Sequence, residues 1–102
     1  MPSVELVFHA LGEPTRLKMV QRLSGGAPHT ITSISEGFKI SRQGARKHLQ
    51  ILSEAKVITL KPAGRDTRVM LNPAAFERSK AFIAEIEQQW DSRLKALKKF
   101  VE

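Results

Sequence analysis

Four side chains within six positions carry the chemistry most easily named in this chain: Arg42, Gln43, Arg46 and Lys47. An arginine fork pairs bidentately with the O6 and N7 acceptors of guanine, and a glutamine amide with the N6 and N7 edge of adenine. A lysine ammonium suits a phosphate oxygen, which fixes register without reading sequence. The plainer alternative for the cluster is a solvated basic face. Arg65 and Arg68 form a second basic pair. Arg65 is expected to meet nucleic acid, in a minor groove or against phosphate. Arg68 fits that role and a charged strand edge that blocks aggregation equally well. Ser41 and His48 flank the first cluster and complete the candidate nucleic-acid set.

The charge distribution favours a polyanionic partner. The chain has 102 residues, with 17 Lys+Arg against 10 Asp+Glu, a formal +7 and a pI near 10.3. Residues 41–68 hold seven basic residues against two acidic ones, whereas the segments on either side are each close to neutral. Nucleic acid is the first candidate and an acidic membrane surface the second. A hydrophobic content of 41% argues against a disordered basic tail. The length bounds a single domain over 1–102 that buries roughly 65% of its unfolded surface. There is no cysteine, which excludes disulfides, thiolate metal sites and cysteine nucleophiles. The three histidines, His9, His29 and His48, fall on separate segments, so no metal site is expected. No Gly-rich phosphate loop, nucleophile elbow or paired His–carboxylate motif occurs, so neither an enzyme nor a cofactor is expected. No targeting segment and no apolar run near the roughly 20 residues of a membrane span is present, and a cytoplasmic location is expected.

The positions of these side chains follow from the periodicity around them. Val4, Val7, Phe8 and Leu11 stand at helical spacing, and Gly12 ends that helix. Pro14 suits the first turn of a second helix with a stripe of Leu17, Val20 and Leu23 and with Met19 beside it. Ser24 to Pro28 reads as a loop. Thr32 is the expected N-cap of a short helix with Ile34 and Phe38 inward, and Ser41 that of a longer one from Arg42 to about Ala55. The longer helix buries Ala45, Leu49, Leu52 and Ala55 and turns its basic and amide side chains outward. Two helices joined by about three residues make a helix-turn-helix over about 32–55. Val57–Lys61 and Thr67–Leu71 are β-rich, and Ala63–Asp66 is a turn between them, so a hairpin, or wing, spans about 57–71. A final helix runs from about Ala74 to Val101, with apolar steps through Phe76, Ile83, Ile86, Trp90, Leu94, Leu97 and Val101. It exceeds what so small a core needs, so part of it is expected to pack on another chain. The expected fold is mainly α with a small β-hairpin: a winged helix-turn-helix of about five helices plus a two-stranded wing.

In this order and spacing the motifs resemble the ArsR/SmtB family of bacterial winged-helix regulators over nearly the whole chain. Phe8 to Arg16 is similar to the family's entry into its second helix, Ile40 to Leu52 to its recognition helix, and Gly64-Arg65 to its wing. The tail around Trp90 to Leu94 resembles a branch without the usual metal ligands. The resemblance implies a homodimer built from the first and last helices, at about 4–11 and 74–101, that represses transcription from a palindromic operator. Its interface would draw on Val4, Val7, Phe8, Phe82, Ile83, Ile86, Trp90, Leu94 and Leu97. At helical spacing Trp90 and the phenylalanines fit core or interface better than an effector pocket. His48 matches a family position and fits a packing or hydrogen-bonding role near the DNA face. Glu13 stands where the family commonly has Asp, and Lys39 and Lys56 stand where glycine is common. The alternative function is a winged-helix module that binds an acidic protein partner.

Overall fold

The computed structural model describes residues 3–101; Met1, Pro2 and Glu102, part of the single domain expected over 1–102, lie outside them. The elements run α1 (Val4–Leu11), α2 (Pro14–Ser24), β1 (His29–Thr30), α3 (Ile31–Ser35), α4 (Arg42–Glu54), β2 (Ile58–Ala63), β3 (Asp66–Leu71), a 3-10 turn (Pro73–Phe76) and α5 (Glu77–Val101). Five α-helices and a small antiparallel sheet make the expected mainly α, winged helix-turn-helix class.

Each early helix starts on a side chain that satisfies an orphan backbone donor. The Ser3 hydroxyl accepts from the Leu6 N–H, and the Glu13 carboxylate accepts from the Arg16 N–H at 2.9 Å. Ser41 accepts from the Gly44 N–H at 2.9 Å. The cap of α3 is Thr30, not the expected Thr32. Thr30 and Ser33 form a reciprocal capping box: Ser33 N–H donates to the Thr30 hydroxyl at 3.2 Å, and Thr30 N–H to the Ser33 hydroxyl at 2.8 Å. That closed pair outcompetes a lone threonine two residues later. α3 therefore starts and ends early, and Phe38 lies beyond it, packed against the core under the Arg22 guanidinium.

The buried stripe of α2 is also rotated from expectation. Arg16, Met19, Val20 and Leu23 face inward, whereas Leu17 is 43% exposed. Arg16 can occupy the inner face because carbonyls of α1 satisfy its donors, described below, and this sets the phase of the helix.

The sheet has three strands in the order β1-β3-β2 rather than two. β1 pairs His29 with Val69 and Thr30 with Arg68. Two residues are too few to show an alternating pattern, so the spacing predicts no strand there. The hairpin proper runs Ile58↔Leu71 to Ala63↔Asp66 around a two-residue turn, Gly64-Arg65. Gly64 has φ +64°, the left-handed conformation such tight turns require.

α4 ends in a Schellman motif. Val57 N–H reaches the Leu52 carbonyl at 3.0 Å and Lys56 N–H the Ser53 carbonyl at 3.0 Å. Leu52 and Val57, the apolar pair of the motif, are both fully buried. Lys56 pays a conformational cost there, at φ 65°. Asn72 clamps the same corner, its side chain donating to the Lys56 carbonyl at 2.9 Å.

The core joins Val7, Met19, Ile34, Leu49, Leu52, Val57 and Val69, drawn from α1 to α4, β3 and the turn before β2. Each such side chain contributes about 1.5–3 kcal/mol on burial. α5 follows a 3-10 turn rather than starting at Ala74, and only Ser79 of it is buried. It packs on α1 and then extends away, which stretches the molecule to 65 × 29 × 22 Å.

In denaturant melts Met19→Ala is expected to cost about 2–5 kcal/mol and Leu17→Ala under about 0.5 kcal/mol. Equal losses would contradict the rotated stripe. Lys56→Gly should stabilise by about 0.5–1 kcal/mol, since glycine relieves the left-handed strain but frees the unfolded chain. A destabilised variant would contradict that reading of the corner.

Candidate nucleic-acid interface

α4 buries Ala45, Leu49 and Leu52 and leaves Arg42, Gln43, Arg46 and Lys47 exposed, as the stripe required. An open cleft of about 330 Å³ lies between α3, the first half of α4 and the hairpin tip. Arg42 and Arg46 line it from α4, and Arg65 lines it from the turn. Hydroxyls of Thr32, Ser35 and Ser41 and carboxyls of Glu36 and Asp66 complete the rim. Sequence-distant arginines therefore converge on one concave surface. The Ser41 hydroxyl is already engaged as the helix cap. A Cβ at position 44 would sit 3.2 Å from it, so glycine there keeps the cap uncrowded.

Arg68 is not part of this cleft. Thr67 faces it, and the next side chain on a strand points the other way. Arg68 lines a shallow surface with Pro28 and His29 beside β1.

Asp66 ties the hairpin to α3. Its carboxylate accepts from the Thr67 N–H at 2.8 Å. That bond, with the Thr32 and Thr30 hydroxyls and the Thr32 N–H close by, holds the carboxyl below its usual range. It therefore stays ionised beside three arginines and anchors the base of the turn that carries Arg65.

His48 turns inward from α4. Its Nδ1 lies 3.2 Å from the Arg16 guanidinium and 3.6 Å from the Glu13 carboxylate. Arg16 is 7% exposed and also donates to the Ala10 carbonyl at 2.7 Å and the His9 carbonyl at 3.3 Å. Those carbonyls belong to the last turn of α1, where the helix itself supplies no partner; that of His9 also accepts from the Gly12 N–H at 3.2 Å. Arg22 does the same for α3, donating to the Ile34 carbonyl at 3.1 Å and to that of Glu36. Neither arginine was recognised as structural from the sequence. The available signal was the helical spacing of Arg16 with Met19, Val20 and Leu23.

The expected interface residues divide. Phe82, Ile83, Ile86, Trp90, Leu94 and Leu97 are exposed along α5, and Phe8 meets Phe82 with ring centroids 5.9 Å apart. Val4 is half-buried at the start of α1. Val7 is fully buried in the chain's own core and has no surface left for a partner. Among the described residues, no group of three His, Cys, Asp or Glu side chains could hold a metal ion. None of the described helices is long and apolar enough to cross a membrane.

A helix-turn-helix domain family matches residues 11–61, from the end of α1 to the middle of β2. The transcriptional repressor SdpR of Bacillus subtilis is 37% identical over 73 residues, covering 72% of this chain and 80% of that protein. The crystal structure of an ArsR family transcriptional regulator superposes with TM-score 0.80 at 28% identity, covering 86% of this chain and 90% of the other. An ArsR-like transcriptional regulator from Rhodococcus sp. RHA1 gives TM-score 0.77 at 29% identity over 97% and 92%. This chain belongs to the ArsR family. It is a DNA-binding transcriptional regulator and not an enzyme. The matched segment contains the whole of α4 together with Arg16 of α2, which contacts His48.

Three carboxyls of this ArsR-family chain are held below their ordinary values. Ser3 and its own backbone act on Glu5, the Arg16 N–H acts first on Glu13, and the Thr67 N–H acts first on Asp66. The unfolded chain therefore binds more protons than the folded one in acid, and stability rises with pH there. These contributions are complete at neutral pH and are lost as pH falls below the ordinary values, 4.5 for Glu and 3.8 for Asp. Denaturant midpoints measured at decreasing pH should fall through that window. A flat profile would contradict the assignment.

Proposed function

We propose that this ArsR-family protein is a homodimeric repressor of a palindromic operator, acting in the cytoplasm. The observation that carries the reading is the convergence of Arg42, Arg46 and Arg65 on one cleft beside an exposed helix face. α4 enters a major groove of each half-site, where Arg42, Gln43 and Arg46 read base edges and Lys47 meets phosphate. Arg65 reaches the flanking groove from the hairpin tip. Ser41 sits at the entry of α4 against the DNA backbone, its hydroxyl already capping the helix. Arg68, on the other side of the sheet, is left out of the contact surface.

The dimer reading rests on α5. Phe82, Ile83, Ile86, Trp90, Leu94 and Leu97 form a continuous apolar edge, each 40–60% exposed. So long a patch on one helix is more than a monomer ordinarily leaves to water. To read such an operator the dimer would have to present its two copies of α4 about one helical turn of DNA apart, roughly 34 Å. The lack of cysteine and of a donor cluster among the described residues supports a regulator that does not respond to metal.

Titration of the protein with its own upstream DNA tests the assignment. Arg46→Ala should cost about 1–3 kcal/mol and relax preference at one base position. Lys47→Ala should weaken binding to all sequences alike and reduce the salt slope by about one. Equal affinity of the wild type for random DNA would overturn the operator reading and favour a protein partner. Light scattering should give a dimer for the wild type and a monomer for Leu94→Glu; a monomeric wild type at micromolar concentration would remove the dimer.

A further inference from the structure

We propose that His48 is a positioning residue and not a DNA contact: through Arg16 it locks the reading helix α4 to the C-terminal end of α1. The proposal rests on the assignment of α4 as the helix that reads DNA.

The geometry is a chain of three polar contacts across three helices. Arg16, on α2, donates from Nε to the Ala10 carbonyl and from one terminal nitrogen to the His9 carbonyl, both on α1. Its other terminal nitrogen faces Nδ1 of His48, on α4. A guanidinium has donors only. Nδ1 therefore acts as the acceptor, and the ring hydrogen sits on Nε2.

Two observations set His48 apart from its neighbours Arg46 and Lys47. Those side chains are exposed, whereas the imidazole is half-buried and has spent its Nδ1 inward. Among the described residues the ring's ion-pair partner is Glu13, at 3.6 Å, so Nδ1 is held between the chain's own guanidinium and carboxylate. No side chain of α1, α3 or β2 forms a hydrogen bond or ion pair with the ring among the described residues.

The consequence is mechanical. α1 and α5 pack together, and both lie at the proposed dimer interface. Bidentate base readout tolerates displacements of only about 0.5 Å. Apolar packing of Leu49 and Leu52 resists separation of α4 from the core, but it is not directional. The Arg16–His48 bond is directional and fixes the rotation of α4 about its axis, and so the aim of Arg42 and Arg46.

Anisotropy titration of the full chain on its upstream duplex tests this with two variants. His48→Ala should weaken operator binding about tenfold, the size of one lost hydrogen bond to a charged group. Its salt slope and dimer dissociation constant should match the wild type, and its melting temperature should fall, because the buried Arg16 guanidinium loses an acceptor. His48→Asn puts an amide oxygen where Nδ1 was and should return affinity to within about threefold of wild type by restoring that bond. Undiminished binding by His48→Ala would overturn the proposal. So would a salt slope reduced by about one, the mark of a phosphate contact, or an Asn variant as weak as the Ala one. Should His48→Ala lose its helical signal, His48→Leu, which keeps bulk without an acceptor, takes its place with the same expectations. A wild type without site preference would instead overturn the DNA reading itself and leave no role for the lock.

Discussion

A buried guanidinium holds this fold in register. Arg16 sits where α1, α2 and α4 meet and bonds across all three. A charge in such a place is tolerated only if its donors are met. Two carbonyls and an imidazole nitrogen meet them, and each fixes a direction as well as a distance. Hydrophobic burial supplies the larger share of stability but accepts many rotations of one helix on another. The polar corner selects one of them. Arg22 repeats the device about one and two-thirds turns further along α2, at the end of α3. The central helix thus carries two cations whose task is to terminate its neighbours.

The same logic divides the charge of the chain. Arginines on α2 bond to the chain's own carbonyls, Arg16 inside the molecule and Arg22 at its surface, whereas those lining the cleft from α4 and the hairpin tip stay open to a partner. The cleft is not uniformly basic, since Asp66 and Glu36 lie on its rim. Asp66 is held ionised by the base of the hairpin and α3, so its charge restrains the wing at a small electrostatic cost to an approaching phosphate. α5 stands apart from this arrangement. It adds almost nothing to the core, and its exposed apolar edge is the surface that the proposed dimer would cover.

Much of this was legible in the sequence. Helical spacing placed α1, α4 and α5, the cap at Ser41 and the first-turn proline Pro14 placed helix starts, and Gly64 placed the turn. Family membership followed from motif order. What escaped has physical reasons. β1 is two residues long and shows no alternation. The Thr30–Ser33 box is a reciprocal pair, and a search for single good caps passes over it in favour of Thr32. The phase of α2 differs from the Leu17, Val20, Leu23 stripe because Arg16 faces inward, which depends on carbonyls that only the folded chain brings near. The side of the sheet on which Arg68 stands, and the inward turn of His48, likewise needed the register of the strands and the corner around Arg16. The role of Val7 was half legible: its spacing marked an apolar face, but not which of two apolar surfaces would claim it.

The central claim is that two copies of this chain present paired reading helices to a two-fold symmetric site. Hydroxyl-radical footprinting on the DNA upstream of its own gene tests it most directly. The account predicts two protected patches on one face of the duplex, centred about one helical turn apart and related by a dyad. A single asymmetric patch, or protection no stronger than on unrelated DNA, would contradict it.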